Sequence, residues 1–339
     1  MYRIAVIPGD GIGPVVVREA RRVLELASER RSLSLEFVEA PAGDAVRDET
    51  GVALPGDSLE RIRGADACLK GPVGETARDV IVFLRRELDL YANLRPARTM
   101  RGVPSRYGNV DVLIVRENVE DVYKGVEDVG PDHAVSLAVY TRRETERIAR
   151  MACVQAMRRS RRITVVDKAN VLLSHRFFRE VAAEVIRSHP EISCEFMYVD
   201  NAAYQLVVRP ERFDVILTTN MFGDILSDEA AGICGTLGIA PSANVGDRYG
   251  LFEPVHGSAP DIEPETANPT AMILAAAMML SWLGESRGDE RAAAAGREVE
   301  RAVELTLEEG RVRTRDMGGN ATASRFTDEV LRRLSEGTG

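Results

Sequence analysis

The chain has 339 residues, of which 45% are hydrophobic and 29% are charged, a composition typical of a globular protein with a sizeable core. A formal net charge of −9 at pH 7, without a long basic run, argues against nucleic acid as a partner. The longest apolar run, Ala271 to Leu283, is interrupted by Ser281 and is too short for a membrane span, so we interpret it as a buried helix.

The four cysteines are scattered along the chain and form no Cys-x-x-Cys pair. They are Cys68, Cys153, Cys194 and Cys234. This spacing argues against a structural zinc site and against a disulfide framework. We therefore expect a protein of the reducing cytoplasm, in which each cysteine serves as a small buried apolar residue.

Residues 2–7 predict a buried strand, which ends at a turn with glycines at three alternate positions within residues 9–13. The spacing is Gly-x-Gly-x-Gly and differs from the dinucleotide fingerprint Gly-x-Gly-x-x-Gly, so the turn alone indicates only a tight strand-to-helix connection. A helix to about Arg30 follows. Apolar and polar residues then alternate over 33–37, which predicts a half-buried strand, and another short strand is predicted over 65–69.

Three arginines lie at the ends of predicted elements and not in a run of charge. Arg85 belongs to a predicted helix over 79–89, and Arg95 follows the segment Tyr-Ala-Asn-Leu. Arg116 comes directly after a predicted strand over 110–115. Converging guanidinium groups suit an anionic substrate because each can bind a carboxylate bidentately. A solvated surface charge is the simpler interpretation for each arginine alone, and spacing does not tell whether the three converge.

Two helices and a strand are predicted in the middle of the chain. Thr141 and Glu144 have the spacing of a capping box at the start of one helix, and Ser174 is predicted to cap the other. Between them, a strand over 163–166 ends shortly before Lys168. Open α/β sheets place their ligands at such carboxyl ends of strands.

Further strands are predicted over 194–199 and 213–217, and residues 240–253, rich in Pro, Gly, Asn and Asp, are predicted to form a loop. The last part of the chain predicts helices over 268–284, 289–308 and 323–335. The alternation of strands and helices indicates the α/β fold class.

A pair of aspartates, Asp224 and Asp228, lies near the start of a probable helix. Because they are four residues apart, their carboxylates lie on one helix face, about one turn apart. Hard divalent cations such as Mg²⁺ and Mn²⁺ prefer carboxylate oxygens. The alternative is that two acidic residues simply favour the positive end of a helix dipole.

Six motifs, in this order, resemble those of the β-decarboxylating dehydrogenase family, which comprises isocitrate, 3-isopropylmalate and homoisocitrate dehydrogenases. They are Gly9-Asp-Gly-Ile-Gly-Pro14, Leu88-Asp-Leu-Tyr-Ala-Asn-Leu-Arg-Pro96, Ile114-Val-Arg-Glu-Asn-Val-Glu-Asp-Val-Tyr-Lys-Gly125, Lys168-Ala-Asn170, Thr219-Asn-Met-Phe-Gly-Asp-Ile-Leu-Ser-Asp228, and Glu253-Pro-Val-His-Gly-Ser-Ala-Pro-Asp-Ile262 with Asn268-Pro-Thr270. The resemblance covers nearly the whole chain.

The resemblance implies an isocitrate/isopropylmalate dehydrogenase-like α/β fold with two domains, distinct from the Rossmann fold. Residues 1–90 and 235–339 would form a large cofactor-binding domain. Residues 91–234 would form a small domain that holds the metal ligands and the dimer interface. The family pattern implies a homodimer, or a higher homo-oligomer, that acts on a small-molecule hydroxy acid.

The same resemblance implies oxidation of a 2-hydroxy acid by NAD(P)⁺, loss of CO₂ from the neighbouring carbon, and protonation of the resulting enolate. The implied metal ligands for Mg²⁺ or Mn²⁺ are Asp224 and Asp228 of one subunit and Asp200 of the other. Lys168 matches the general base of the oxidation step, and Tyr123 matches the acid that protonates the enolate. Three arginines match the substrate-carboxylate clamps: Arg85, Arg95 and Arg116.

The implied cofactor contacts are His256, Gly257, Ser258, Ala259, Asp261, Ile262 and Asn268. In this family an acidic residue at the position of Asp261 binds the adenosine ribose hydroxyls and repels a 2′-phosphate, so we predict NAD. The segment from Glu263 to Pro269 is one residue shorter than the usual family sequence and lacks its Gly-Lys. This departure bears on the geometry of the adenine-binding loop.

Substrate choice in this family depends on the helix before Arg85. Isocitrate enzymes carry a serine and an asparagine where this chain has Asp79 and Ile81, and homoisocitrate enzymes can carry an arginine where it has Val82. An isopropyl group packed against Val80, Ile81 and Val82 would gain about 1–3 kcal/mol. This predicts 3-isopropylmalate and a role in leucine biosynthesis.

Homoisocitrate and isocitrate stay open as alternative substrates, because the segment Arg-Glu-Asn-Val-Glu-Asp-Val-Tyr resembles the tricarboxylate-using branches. An alternative of another class is a non-catalytic regulatory subunit, since some hetero-oligomeric family members bind ligands in this fold without turnover. Such subunits tend to lose metal ligands or the tyrosine and lysine, and this chain retains every one.

Overall fold

A computed structural model of the chain describes residues 1–337. The strands in this range are β1 (Tyr2–Ile7), β2 (Leu35–Glu39), β3 (Ala67–Lys70), β4 (Ala92–Arg98), β5 (Asp111–Glu117), β6 (Glu127–Val129), β7 (Ala134–Ser136), β8 (Arg162–Asp167), β9 (Ser193–Tyr198), β10 (Val215–Thr218), β11 (Pro241–Val245) and β12 (Gly250–Pro254). The α-helices are α1 (Gly13–Arg30), α2 (Asp44–Thr50), α3 (Gly56–Arg63), α4 (Phe83–Glu87), α5 (Arg142–Met157), α6 (Leu173–Arg187), α7 (Val199–Val208), α8 (Asn220–Cys234), α9 (Thr270–Arg287), α10 (Glu290–Glu309) and α11 (Ala323–Glu336).

Ten of these strands form one mixed sheet in the order β2-β1-β3-β12-β11-β4-β5-β10-β8-β9. The pairs on both sides of the sheet are parallel, whereas β12, β11, β4 and β5 pair antiparallel in its centre. The strands β6 and β7 form a separate two-stranded hairpin. This mainly parallel sheet with helices around it confirms the predicted α/β class.

The centre of the sheet joins two parts of the chain. Strands from residues 1–90 and 235–339 form one side, and strands from residues 91–234 form the other. The two sides meet where β11 pairs with β4, with Asn244 opposite Asn93. The division of the chain into two domains at these bounds stays a prediction.

The apolar run from Ala271 to Leu283 lies within α9, as predicted, and α9 is buried along most of its length. Its close neighbour is α10, and two glycines allow the backbones to approach. A Cβ atom on Gly284 would lie 2.4 Å from the backbone nitrogen of Ala293, and one on Gly296 would lie 2.6 Å from the carbonyl oxygen of Ala277. Among residues 1–337, no helix is long and apolar enough to cross a membrane.

Several predicted elements are correct, and the exceptions have physical reasons. Thr141 caps α5 as predicted, because its hydroxyl accepts a hydrogen bond from the backbone N–H of Glu144 at 3.3 Å. The reciprocal bond of a capping box is replaced, since the Thr141 N–H donates to Glu120 Oε2 at 2.6 Å. The predicted cap at Ser174 is wrong, because α6 begins one residue earlier and has no side-chain cap. The predicted loop over 240–253 is also wrong, since it contains β11 and β12. Proline at the first position of a strand interrupts no internal pairing, and Pro241 occupies that position in β11.

The helix before Arg85 has an irregular geometry that its sequence did not reveal. Residues Arg78–Val82 form a π-helical turn, which continues directly into α4. Such turns are rare and often occur at functional sites. The turn determines which side chains of this segment point into the core and which point outwards.

We expect opposite effects when two helical glycines are replaced by alanine. Gly296→Ala should lower the free energy of unfolding by about 1–3 kcal/mol, because the new methyl group has no room between α9 and α10. Gly56→Ala, at the exposed first residue of α3 with nothing within 4 Å of the added Cβ, should raise it by about 0.5 kcal/mol. Urea unfolding at one fixed protein concentration measures both. A stabilised Gly296→Ala variant would contradict the close packing of α9 and α10.

Candidate active site

The candidate site lies at the carboxyl ends of β5 and β10 and on the first turns of α8. Arg116 is near the end of β5, and α8 starts two residues after β10. Asp224 is the fifth residue of α8, and the first turn of that helix contains no acidic residue. The helix-dipole interpretation of Asp224 and Asp228 is therefore wrong, since that effect is confined to the first turn.

Asp224 is the centre of a cluster of polar side chains. Its Oδ1 accepts hydrogen bonds from the Nη1 atoms of Arg95, at 3.0 Å, and of Arg116. Its Oδ2 accepts one from the Tyr123 hydroxyl at 2.8 Å. Burial alone would raise the pKa of Asp224, but the charges of Arg116 and Arg95 outweigh it and lower this pKa to about 2. Asp224 is therefore an anion across the physiological pH range.

The structure brings the three predicted arginines together. Arg95 and Arg116 share Asp224, and Arg85 lies beside them with its Nε 3.0 Å from Asn244 Oδ1. All three are buried, Arg116 to 1% exposure. Burial first, and then the neighbouring charges of Arg95 and Arg85, lowers the pKa of Arg116 to about 9, which leaves it cationic at neutral pH. Three cations concentrated in this way form a strong site for an anion.

Asp228 lies one turn further along α8, and its Oδ1 is 3.6 Å from Arg95 Nη1. Its side chain is about half exposed. Burial raises the pKa of Asp228. The charge of Arg95 lowers this pKa and the charge of Asp224 raises it, and the net effect is a raised pKa. Two carboxylates on one helix face are hard oxygen donors suited to Mg²⁺ or Mn²⁺, and a bound cation would relieve their repulsion.

Lys168 and Asp200 lie outside this cluster in the single chain. The Lys168 ammonium donates a hydrogen bond to Asp200 Oδ1, and Asp200 is in the first turn of α7. Within residues 1–337 of one chain, no three His, Cys, Asp or Glu residues are grouped as a metal site. The chain therefore presents two partial sites, one around Asp224 and Tyr123 and one around Lys168 and Asp200.

The apolar residues before Arg85 are only partly available to a ligand. Val80 is fully buried in the core beneath the π-helical turn, so the expectation that it would contact an isopropyl group is wrong. Ile81 keeps a small exposed area, and Val82 is half-buried. Apolar contact from this segment would come from Ile81 and Val82.

The predicted cofactor loop packs on the glycine turn that follows β1. The backbone N–H of Ile12 donates to Ser258 O at 3.0 Å, and a Cβ atom on Gly11 would lie 2.1 Å from that same oxygen. The glycine is therefore required for close approach of the two loops. Ala259 has a positive φ of 45°, and Asp261 is exposed at the surface of this loop.

The other predicted cofactor contacts differ in how much of each residue is exposed and could touch a ligand. Ile262 and Gly257 are exposed, whereas burial lowers the pKa of His256, whose Nδ1 lies 3.0 Å from Gly257 O. Asn268 is buried, and its amide donates to Asp316 Oδ2 at 3.0 Å while its Oδ1 accepts from Thr270 N. Asn268 therefore fixes the start of α9, and a contact with cofactor stays a prediction.

Sequence reasoning missed a buried acidic segment between Arg116 and Tyr123. Glu117 accepts the backbone N–H groups of Val119 and Glu120, yet burial outweighs these bonds and raises its pKa to about 7. Asp121 has a positive φ of 66° and caps the short 3₁₀ turn that carries Tyr123. The motif Arg-Glu-Asn-Val-Glu-Asp was the available signal, but its acidic residues read as surface charge without a structure.

Comparison with known proteins gives consistent results. The family model described as isocitrate/isopropylmalate dehydrogenase matches residues 3–330. The chain is 48% identical over 336 residues to a 3-isopropylmalate dehydrogenase of Sulfurisphaera tokodaii, covering 98% of this chain and 99% of that protein. It is also 48% identical over 342 residues to an isocitrate/homoisocitrate dehydrogenase of Thermus thermophilus, covering 98% of each. The crystal structure of isocitrate dehydrogenase from Methylococcus capsulatus is similar with a TM-score of 0.91 and 40% identity, over 98% of this chain and 99% of that one.

We expect Glu117 to make the protein less stable as pH rises. A carboxyl group with a raised pKa holds its proton more tightly in the folded state, so its contribution is present below about pH 4.5 and is lost as pH rises to about 7. Glu117→Gln should remove this loss, and the free energy of unfolding at about pH 8 should exceed that of the wild type by about 1–3 kcal/mol.

Urea unfolding at about pH 5 and pH 8 measures this difference. The matched control is Glu49→Gln, which neutralises an exposed carboxylate and should leave the pH dependence unchanged. The same pH dependence in Glu117→Gln and in the wild type would contradict the raised pKa.

Proposed function

The chain belongs to the isocitrate/isopropylmalate dehydrogenase family, and on that premise we propose that it oxidises and decarboxylates 3-isopropylmalate to 2-oxo-4-methylpentanoate, with reduction of NAD⁺, in leucine biosynthesis. The observation that carries this proposal is a cluster of three buried arginines, two of which bind the ionised Asp224 together with Tyr123. The arrangement suits a small substrate with two carboxylates. Relatives named as dehydrogenases support an enzyme over a non-catalytic regulatory subunit.

In this proposal Arg85, Arg95 and Arg116 hold the two substrate carboxylates. Held in this way, the hydroxyl carbon C2 would have a fixed orientation. Bound NAD⁺ would supply the hydride acceptor for C2, and Lys168 of the partner subunit would take the hydroxyl proton as general base. The product of this step is a 2-oxo acid with a carboxylate on the neighbouring carbon C3.

Loss of CO₂ then leaves the bonding electron pair on C3 as an enolate. Tyr123 donates the proton that C3 receives. Burial, and then the charge of Asp224, raises the pKa of Tyr123, so its hydroxyl is protonated at neutral pH, as a proton donor must be. The position of the tyrosine between Asp224 and Arg116 places this proton beside the carboxylate clamps.

Mg²⁺ or Mn²⁺ would be held by Asp224 and Asp228, with Asp200 of the partner subunit as third ligand. When bound, such a cation would supply Lewis-acid charge at the hydroxyl oxygen on C2, the carbon that is oxidised. The two aspartates of this chain fit the ion by charge and by donor type. Asp224 also keeps Tyr123 and the arginine pair in place, so its carboxylate has a positioning role in addition.

The requirement for a partner subunit is supported by two exposed apolar surfaces within residues 91–234. One is on α7 and α8, where Ile225 is 61% exposed between the two aspartates and Tyr204 is 59% exposed. The other is the β6–β7 hairpin, which exposes Val129 and Val135. A lone hairpin is marginally stable in water, and apolar surfaces of this kind mark protein interfaces. We therefore propose a homodimer in which each site takes Lys168 and Asp200 from the partner.

For the cofactor we propose NAD over NADP. Asp261 is exposed on the loop that packs on the glycine turn, where its negative charge would repel a 2′-phosphate. A second candidate substrate class is the tricarboxylates, homoisocitrate and isocitrate. It is favoured by the 48% identity to the isocitrate/homoisocitrate dehydrogenase of Thermus thermophilus, which equals the identity to the first isopropylmalate relative.

We expect 3-isopropylmalate with NAD to give the highest kcat/KM in a panel of 3-isopropylmalate, homoisocitrate, isocitrate and malate, each with NAD and with NADP. The reason is that Ile81 and Val82 offer apolar contact worth about 1–3 kcal/mol, and Asp79 would repel a third carboxylate. Steady-state formation of NADH or NADPH is the measurement. Equal or better turnover of a tricarboxylate would overturn the substrate assignment, and a preference for NADP would overturn the role of Asp261.

We expect two inactive variants to complement each other in a heterodimer. Lys168→Met lacks the base and Asp224→Asn lacks a metal ligand, so each homodimer should have little activity. In a heterodimer purified through two different tags, one site combines intact Lys168 with intact Asp224, and activity should return to about half of the wild-type value. Tagged wild-type dimers provide the reference. A heterodimer as inactive as its parents would show that each site is built from one chain.

A further inference from the structure

Each of the three buried arginines is held at its Nε by an asparagine. Arg85 Nε donates to Asn244 Oδ1 at 3.0 Å, and Arg95 Nε donates to Asn93 Oδ1 at 2.6 Å. Arg116 donates to Asn220 Oδ1 from both Nε, at 3.0 Å, and Nη2, at 2.7 Å. The three asparagines are fully buried. The same hydrogen bond, from an arginine Nε to an asparagine Oδ1, thus occurs with asparagines of three separate elements, β11, β4 and α8.

An amide oxygen orients a guanidinium group without neutralising it. Buried arginines in proteins are normally paired with carboxylates, which orient them and cancel their charge. The carboxylates that contact this cluster are few. Glu253 lies 3.4 Å from Arg85 but is closer to Lys70, at 2.8 Å, so Lys70 already compensates its charge. Asp224 binds both Arg95 and Arg116, and Asp228 lies 3.6 Å from Arg95. These two carboxylates face three arginines, so the cluster keeps an excess of positive charge.

The two asparagines in the sheet also connect the arginines of its two sides. Asn244 on β11 is opposite Asn93 on β4, and Asn93 Nδ2 donates to Asn244 Oδ1 at 3.0 Å. The Asn244 amide in turn donates to Glu253 Oε1 at 2.8 Å. Arg85, from one side of the sheet, and Arg95, from the other, are therefore fixed in relation to each other by one pair of side chains.

We propose that Asn93, Asn220 and Asn244 are positioning residues that aim the clamp arginines through Nε while leaving their charge uncompensated for the substrate dianion. The inference rests on the proposed function for the identity of the dianion. Its physical basis is that a carboxylate in any of these positions would form a stronger bond to the same Nε and would cancel the charge that attracts the substrate. Without a bound dianion, Arg116 is repelled by the charges of Arg95 and Arg85, and this repulsion destabilises the folded protein.

The proposal predicts that the neutrality of the asparagines matters more for substrate binding than their hydrogen bonds to the arginines. Variants of Asn220 and Asn93 test this prediction. Asparagine to aspartate keeps the shape and the Oδ1 acceptor, replaces the Nδ2 donor with a second oxygen and adds a negative charge. Asparagine to alanine removes the donor and the acceptor and keeps the charge of the arginine. If the asparagines only support the fold, the alanine variant is the worse one. If neutrality is their purpose, Asn220→Asp and Asn93→Asp bind a dianion more weakly than the corresponding alanine variants do.

The matched control is Asn118→Asp. Asn118 is buried in the same network, where its amide donates to Leu90 O at 2.9 Å and to Asn244 Oδ1 at 3.0 Å. Within residues 1–337 its side chain has no hydrogen bond to a guanidinium group, and its Oδ1 has no partner. This variant therefore buries the same new charge without pairing it to a clamp arginine.

The experiment uses the full chain with Mg²⁺ and measures the Kd of malonate by calorimetry, because malonate is a plain dicarboxylate that tests the arginines whatever the true substrate. Thermal unfolding and the KM values of NAD and 3-isopropylmalate are measured in parallel. Asn220→Asp and Asn93→Asp should weaken malonate binding at least about tenfold, with the KM of NAD unchanged within about twofold. Asn118→Asp should weaken malonate binding less than either of these variants does, because its charge is not paired with a clamp arginine and lies farther from the guanidinium groups.

Folded aspartate variants that bind malonate within about twofold of wild type would overturn the proposal, as would alanine variants that bind it more weakly than the aspartates. Two positions are used so that a folding failure at one leaves the other as the test. A wild-type protein that binds malonate but does not turn over 3-isopropylmalate would overturn the proposed substrate and leave the role of the asparagines standing.

Discussion

The constraint on which the site depends is the burial of three like charges next to one another. Arg85, Arg95 and Arg116 repel one another in a medium of low dielectric constant, and such a cluster survives only if the surrounding structure fixes every side chain. The mixed sheet makes this possible, because antiparallel β4 and β11 lie between the two parallel sides and carry polar side chains into the interior. A wholly parallel sheet buried on both faces favours continuous apolar strands, which leave no place for such a network.

Local sequence patterns predicted most of the regular structure, because they reflect interactions between near neighbours in the chain. The helix to Arg30 follows from its periodicity, and the buried strand over 2–7 and the buried α9 follow from their largely apolar runs. The failures occur where tertiary contacts decide. Residues 241–254 have the composition of a loop, yet they complete the centre of the sheet, and pairing with distant β3 and β4 offsets the poor strand propensity of Pro, Gly and Asn.

The site shows the same division between local and distant information. The spacing of Asp224 and Asp228 placed both on one helix face, and the structure has them there. That Arg95 and Arg116 meet at Asp224, with Arg85 beside them, depends on strand order, which the spacing of residues 85, 95 and 116 does not contain. The asparagines that hold them were visible inside motifs, but an asparagine has no sequence signature that separates a buried acceptor from a turn residue.

The two partial sites of one chain are held in a fixed relation by a series of buried hydrogen bonds. Asp121 caps the turn of Tyr123, accepts the backbone N–H of Met221 at the start of α8, and accepts the hydroxyl of Tyr140. His175 accepts the backbone N–H of Lys168 at Nδ1, which leaves its Nε2 proton for Tyr140. In the proposed dimer these two partial sites serve different active sites. In that dimer the geometry of one active site would depend, through Tyr140 and His175, on the packing around the other. Under this proposal the dimer is a condition of catalysis and not only of stability.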